Sequence, residues 1–199
     1  MKAFYLFLIS LSNLLISSGG YSQAKADERV SKNGKPGQAL LPVPQRVSLT
    51  DQLYNLDDSW YVEAGSISKN DPAVLSLVSE LKDRFGLRLN NTGHSSAHNI
   101  RLTVKPGSVI IGKTVDTNRT ALKKQAYRLQ LQPGKISLTS NAAQGLFYGV
   151  QTLLQLLQPG NGSIYYTSGE IVDWPDMDLR MIYWDDAHHL ERLDAMKRA

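Results

Sequence analysis

Apolar residues recur every three or four positions in two stretches of the chain, and this spacing predicts two helices. The first follows Asp71, a capping residue, and ends at Gly86. The second follows Asn141, which together with Gln144 matches a capping box. Each helix has one apolar face, and such a face must be buried against another element.

Alternation of apolar and polar residues, bounded by turn residues, predicts five strands. They cover residues 54–64, 100–104, 126–131, 136–139 and 164–172. Asp57-Asp58-Ser59 marks a turn at the first strand, Pro133-Gly134 joins the third and fourth strands as an antiparallel hairpin, and Gly169 permits a bend in the last. The order β-α-β-β-β-α-β predicts an α+β domain over residues 40–172, with an antiparallel or mixed sheet and both helices on one face.

The N-terminus has the pattern of a signal peptide over residues 1–22, with Lys2 before an apolar stretch and small residues Gly20 and Ser22 at the cleavage positions. A membrane anchor is the alternative, but the apolar stretch is shorter than the about 20 residues that a span needs. We therefore expect export to the periplasm or the extracellular space, and no stable membrane span. The polar residues 23–39 predict a flexible leader.

Composition and charge narrow the classes of function. The 199 residues are 42% hydrophobic and 20% charged, as in globular proteins, and the net charge of +4 is scattered, so we expect no nucleic-acid partner. The chain has no cysteine, which excludes disulfides and thiolate metal sites. Adjacent residues point to different sides of an element, so His188 and His189 do not form a metal clamp, and we expect no metal or other cofactor.

Residues 173–199 predict a linker, a buried strand and the beginning of a helix, which together form one β/α unit. Such a unit cannot bury a core alone, so we expect it to be the first unit of an incomplete (β/α)8 barrel. Asp185 and Asp186 follow the strand, but adjacent carboxylates cannot flank one glycosidic bond at about 5 to 9 Å. Either they and His188 and His189 line a substrate site, or an aspartate caps the helix and the histidines satisfy backbone groups.

Several motifs resemble the N-terminal part of β-N-acetylhexosaminidases of glycoside hydrolase family 20. They are Leu41-Pro-Val-Pro-Gln, Leu81-Lys-Asp-Arg-Phe-Gly, Gln125-Ala-Tyr-Arg-Leu, Ile136-Ser-Leu-Thr, Gly145-Leu-Phe-Tyr-Gly-Val-Gln-Thr-Leu-Leu-Gln-Leu and Asp173-Trp-Pro-Asp. The resemblance covers residues 40–199. It implies a non-catalytic, zincin-like domain followed by a catalytic (β/α)8 barrel, of which this chain would hold only the first unit.

The resemblance also implies a substrate-binding role for three residues. Arg180, Asp185 and His189 match the family's spacing of an arginine, an aspartate five residues later and a histidine nine residues later. The arginine hydrogen-bonds the hydroxyls of a terminal N-acetylhexosamine on a glycan. Met181 replaces the family's usual glycine, and His188 replaces a basic residue.

No catalytic residue of the family falls in this chain, because the Asp-Glu pair for substrate-assisted retaining hydrolysis lies on a later barrel strand. The resemblance therefore implies that the isolated 199 residues are inactive. Two alternatives remain: the leading part of a family 84-like N-acetylglucosaminidase, and a non-catalytic carbohydrate-binding or assembly module. Trp184-Asp-Asp-Ala-His-His departs from the family 84 pattern, which disfavours the first alternative. An unpaired apolar strand at residues 181–184 would expose apolar surface to solvent, which disfavours the second.

Overall fold

The computed structural model describes residues 40–89, 98–160 and 163–181. The helices are α1 (Pro72–Phe85), α2 (Arg119–Lys124) and α3 (Ala143–Leu156). The strands are β1 (Arg46–Leu56), β2 (Tyr61–Glu63), β3 (Asn99–Val104), β4 (Tyr127–Gln132), β5 (Lys135–Ser140), β6 (Gln158–Gly160) and β7 (Ser163–Asp173). The predicted signal peptide, the leader and the barrel strand and helix lie outside the described residues.

The strands form one mixed sheet in the order β1-β7-β4-β5-β3-β2, with β6 paired to β7. The β2–β3 and β3–β5 pairs are parallel, and the other pairs are antiparallel. Helix α1 connects the parallel strands β2 and β3, which is the crossover that a parallel pair requires. The prediction of an antiparallel or mixed sheet with helices is therefore confirmed, and the sheet is of the mixed kind.

Helix α1 agrees with its sequence signals at both ends. The Asp71 carboxylate accepts a hydrogen bond from the Ala73 N–H at 2.9 Å, which satisfies one of the free donors of the first turn. Gly86 ends the helix at φ 69°, a left-handed conformation that glycine adopts without steric cost. These local interactions explain why the sequence alone located this helix.

The predicted strand over residues 54–64 is wrong as a single element. Strand β1 starts at Arg46 and ends at Leu56, and a turn then precedes β2. In this turn the Asp57 carboxylate accepts a hydrogen bond from the Ser59 N–H at 2.9 Å. The Asp57 backbone carbonyl accepts one from the Trp60 N–H at 3.1 Å. β1 lies at the edge of the sheet and is mostly exposed, so the apolar alternation that reveals a strand is weak. Helix α2 and strand β6 were not predicted either.

The hairpin and the last strand are confirmed. β4 and β5 pair antiparallel around Pro133-Gly134. Gly169 in β7 has φ 140°, and the register with β1 shifts beside it, between Leu49 and Leu53. A Cβ at Gly169 would collide with the Ser48 carbonyl oxygen, so this close strand approach requires glycine.

The main core lies between the sheet and the helices. The buried faces of α1 and α3 share one hydrophobic cluster with inward residues of β3, β4, β5 and β7. Helix α3 contacts β3, β4 and β5, and α1 packs against α3. The largest fully buried side chains are Trp60, Tyr127 and Tyr166. This core fixes α3 relative to the ends of β4 and β7, where the candidate site lies.

A second, smaller cluster contains Val109, Ile111, Leu122, Ala126, Val172 and Trp174. Asn141 connects it to α3, but not as the predicted helix cap. Its side chain accepts from the Val109 N–H at 2.9 Å and donates to the Val109 and Lys123 carbonyls at 2.8 and 3.0 Å. Ala142 takes the cap position without a side-chain bond. The predicted capping box does not form, because the Asn141 side chain makes its hydrogen bonds to the backbone of Val109 and Lys123 instead of to the first turn of α3.

Candidate functional site

A cleft of about 450 Å³ lies where the chain enters and leaves the sheet. It is bounded by the N-terminal segment (residues 40–45), by α3 and by the C-terminal segment (residues 173–181). Leu41, Val43, Tyr148 and Met177 contribute apolar surface to its wall. Arg180 lies in the same lining, so the cleft contains the one predicted site residue that the structure describes.

Asp173 joins the two segments at the base of the cleft. Its Oδ1 accepts from the Gln45 N–H at 3.0 Å, and its Oδ2 accepts from the Tyr127 hydroxyl at 3.3 Å. The Tyr127 oxygen lies 2.6 Å from Thr152 Oγ1 on α3. One carboxyl thus connects the beginning of the domain, its central strand and its end.

Burial sets the electrostatics of this group. It raises the pKa of the Asp173 carboxyl, although the hydrogen bonds from the Gln45 and Trp174 N–H groups and the charge of Arg180 act in the opposite direction. Burial also raises the pKa of the Tyr127 hydroxyl well above its usual range, and the charge of Asp173 adds to that effect. Tyr127 therefore stays protonated and can donate to Asp173.

Gln125 lies beside this base and uses both ends of its amide. Its side chain is buried, its Nε2 donates to Asp178 Oδ1 at 2.7 Å, and its Oε1 accepts from Arg180 Nη2 at 2.9 Å. The Arg180 guanidinium also lies over the Tyr148 ring, 5.5 Å from its centroid. Arg180 is therefore attached to the domain by a hydrogen bond and a cation–π contact.

The loop before α2 also binds the C-terminal segment. Asp116 Oδ2 accepts from the Asp178 N–H at 3.2 Å, and the Asp116 N–H donates to the Asp176 carbonyl at 2.9 Å. Hydrogen bonds from the Asn118 and Asp178 N–H groups lower the pKa of Asp116, which keeps it ionised as an acceptor. Residues 173–180 thus lie along a row of anchoring contacts.

Other polar side chains of the cleft are also paired within the protein. Gln155 accepts from the Leu41 N–H at 2.9 Å and donates to the Leu41 carbonyl at 3.0 Å, and Gln151 donates to Ser76 at 2.9 Å. Across residues 40–89, 98–160 and 163–181, no group of three or more histidine, cysteine, aspartate or glutamate residues could hold a metal ion. The arrangement is suited to fixing two chain segments and presenting Arg180.

The three sequence-predicted site residues have different outcomes. Arg180 lies at the cleft, exposed and anchored, while Asp185 and His189 lie outside the described residues. The sequence assigned no site role to Gln125, Asp173 or Tyr148. Gln125 and Asp173 each begin one of the family motifs, and this position in a motif was the sequence feature that could have marked them as site residues.

Within the described part of the chain, no helix combines the length and the apolar character needed to cross a bilayer. The expected membrane behaviour of residues 1–22 falls outside that search.

The fold belongs to a recognised class of glycosidase domain. The family model described as glycosyl hydrolase family 20, domain 2, matches residues 37–174, more than half of the chain. This chain is a member of glycoside hydrolase family 20, as the resemblance implied.

Curated relatives agree with this assignment. A beta-hexosaminidase of Porphyromonas gingivalis (strain ATCC BAA-308 / W83) is 28% identical over 143 residues, which are 72% of this chain and 17% of the relative. The beta-hexosaminidase subunit beta of Homo sapiens is 24% identical over 187 residues, 87% of this chain and 34% of the relative. The chain therefore spans 17% to 34% of the length of these two proteins.

Solved structures share the fold. The GH20 exo beta-N-acetylglucosaminidase of Vibrio harveyi, in complex with N-acetylglucosamine, has a TM-score of 0.62 at 23% identity, covering 81% of this chain and 23% of that one. The GH20 beta-N-acetylhexosaminidase of Streptomyces coelicolor A3(2) has a TM-score of 0.57 at 26% identity, covering 82% and 32%. The described domain thus has the fold found in part of these larger enzymes.

Proposed function

We propose that this chain is the non-catalytic leading part of an exported β-N-acetylhexosaminidase. The complete protein would remove terminal N-acetylhexosamine from glycans by substrate-assisted retaining hydrolysis. The match of residues 37–174 to domain 2 of the family carries this proposal, and the 28% identity to a named beta-hexosaminidase supports it. Export rests on the signal-peptide pattern of residues 1–22.

In this proposal Arg180, Asp185 and His189 contribute to binding of the terminal sugar. A guanidinium has five N–H donors, and Gln125 uses one of those of Arg180, so others remain for sugar hydroxyls. Hydrolysis also needs an acid and its partner carboxylate in register, and the resemblance implies that both lie on a later barrel strand. The 199 residues alone are therefore expected to bind weakly and to hydrolyse nothing.

Two linked measurements test the proposal. The first is sequencing of the locus through and beyond codon 199. The second compares the product of the whole reading frame with the 199-residue chain for release of p-nitrophenol from p-nitrophenyl N-acetyl-β-D-glucosaminide. We expect hydrolysis by the product of the longer frame and none by the 199 residues.

The matched control substrate is p-nitrophenyl β-D-glucoside, which lacks the acetamido nucleophile and should not be cleaved. Equal cleavage of both substrates would contradict the substrate-assisted mechanism. A reproducible stop directly after codon 199, together with N-acetylglucosamine binding by the chain, would replace the proposal with a non-catalytic binding module.

A further inference from the structure

We infer that Gln125 is a positioning residue for Arg180, an inference that rests on the sugar-binding role proposed for Arg180. Gln125 does not belong to the segment that it holds: it follows α2 and lies 55 residues before Arg180. Its buried amide reaches the C-terminal segment and fixes the guanidinium at the cleft. The non-catalytic domain thereby contributes to sugar binding without contacting the sugar.

The chemistry of the three groups fixes which way the Gln125 amide points. An ionised carboxylate only accepts hydrogen bonds and a guanidinium only donates them. The amide NH2 must therefore face Asp178, at 2.7 Å, and the amide oxygen must face Arg180, at 2.9 Å. Because Gln125 is only 5% exposed, water has little access to either end of its amide. The relay Asp178–Gln125–Arg180 has one consistent orientation.

Tyr148 restrains the same guanidinium in a second direction. The Arg180 carbon that joins the three nitrogens lies over this ring, 5.5 Å from its centroid, which is within the range of a cation–π contact. Gln125 binds at the edge of the guanidinium plane, through Nη2. Together the two contacts restrain the guanidinium while leaving further N–H donors for a ligand.

Trypsin cleavage of the 199-residue chain tests the anchoring, because the protease must take the Arg180 side chain into its own pocket. Gln125→Met keeps the length of the side chain but removes both hydrogen bonds. We expect cleavage after Arg180 to become about tenfold faster, the effect of losing one charge-assisted hydrogen bond. Mass spectrometry of the fragment that ends at Arg180 gives the rate.

Cleavage after Lys69 is the internal control, because this exposed lysine precedes α1 and is absent from the cleft lining. Its rate should stay the same in the variant. An unchanged rate after Arg180 would overturn the anchoring, and equal acceleration at both sites would assign the effect to general unfolding and also overturn it.

Steady-state kinetics of the active protein from the whole reading frame test the positioning role. A side chain that holds Arg180 against sugar hydroxyls improves binding of substrate and transition state alike, so its loss raises KM and leaves kcat nearly unchanged. We expect Gln125→Met to raise KM for p-nitrophenyl N-acetyl-β-D-glucosaminide about tenfold. A merely structural role would lower the amount of active protein, and therefore the apparent kcat, at constant KM.

A rescue experiment distinguishes the hydrogen-bond relay from packing. Gln125→Glu keeps the acceptor for Arg180 but faces Asp178 with a second carboxylate. Adding Asp178→Asn restores a donor opposite the new carboxylate, so the double variant should recover a KM within about threefold of the wild type, consistent with strong coupling of contacting residues. Failure of the double variant to improve on Gln125→Glu would contradict the relay.

The outcomes separate this inference from the proposed function. A wild-type protein without activity contradicts the proposed function, and the positioning role falls with it. An active wild type whose KM is the same in Gln125→Met overturns the positioning role alone.

Discussion

At the scale of single residues, Asp173 is a side chain whose partial burial costs free energy and is offset by hydrogen bonds. Its carboxyl accepts from Gln45 and Tyr127, which come from distant parts of the chain. Burial raises its pKa, so the folded state binds the proton more tightly than the unfolded state. The stability from that proton is fully present below the unfolded pKa, about 3.9, and is lost as the pH rises through the raised folded pKa.

Asp173→Asn should remove this pH dependence, because the amide imitates the neutral acid. Its Oδ1 can still accept from Gln45, and its NH2 can donate to the Tyr127 oxygen. We expect the free energy of unfolding of the wild type, relative to the variant, to fall between pH 3 and pH 7. Urea denaturation of both proteins at several pH values measures this difference.

Tyr127→Phe is the control for this prediction. It keeps the titrating carboxyl but removes one of the hydrogen bonds that lower the pKa of Asp173, so it should be less stable while its stability changes with pH in the same direction as that of the wild type. A difference between wild type and Asp173→Asn that is constant across the pH range would contradict the assignment to Asp173.

At the scale of elements, α3 approaches the sheet closely because two of its residues have no side chain. A Cβ at Gly145 would lie 2.5 Å from the Ala126 carbonyl oxygen, and one at Gly149 would overlap Leu138 and lie 3.0 Å from Tyr127 Cδ2. In a helix interior, glycine is about 1 kcal/mol worse than alanine. Close packing of α3 against β4 and β5 therefore outweighs helix propensity at these two positions.

Gly149→Ala should destabilise the protein by about 1 to 3 kcal/mol, the usual cost of overpacking a core. Gly145→Ala should cost more, because its neighbour is backbone and cannot move aside as a leucine side chain can. Ser79→Ala on the exposed face of α1 is the matched control and should stay within about 0.5 kcal/mol of the wild type. Chemical denaturation measures all three, and a Gly149→Ala protein as stable as the wild type would show that α3 is loosely packed.

At the scale of the whole molecule, the domain is closed where its first and last described segments meet. Gln155 binds the Leu41 backbone through two hydrogen bonds, and Asp173 binds the Gln45 N–H across 128 positions of sequence. These contacts seat the N-terminal segment against α3 and the end of β7. The segment is therefore part of the folded unit, although it contains no helix or strand.

Removing residues 1–45 should lower the free energy of unfolding by about 1 to 3 kcal/mol compared with removing residues 1–39. The shorter chain loses the Leu41 hydrogen bonds and leaves the half-buried Asp173 carboxyl with fewer donors. Urea denaturation of the two chains at the same pH measures the loss. Gln155→Met in the longer chain should reproduce only part of it, and equal stability of the two shortened chains would show that the N-terminal segment is not integral.

The sequence predicted best where structure depends on neighbouring residues. The Asp71 cap, the Gly86 terminus and the hairpin turn act within a few positions, and each is confirmed. The sequence-based predictions were wrong where the structure depends on a residue that is distant in the sequence. The Asn141 amide binds Val109, 32 positions away, instead of capping α3, and β1 is held at the sheet edge by pairing to β7 rather than by its own apolar pattern.

The same distinction between local and distant interactions applies to the candidate site. Family motifs pointed to Arg180, but its partners Gln125 and Tyr148 became visible only when α2 and α3 were in place, because hydrogen bonds and ring contacts between distant positions leave no period in the sequence. By itself, the sequence determined helices α1 and α3, the central strands and the family, since periodicity, caps and motifs are local. Tertiary structure alone decided the order of the strands, the closure at Asp173 and the anchoring of Arg180, since these depend on which buried polar groups find a partner once the core has formed.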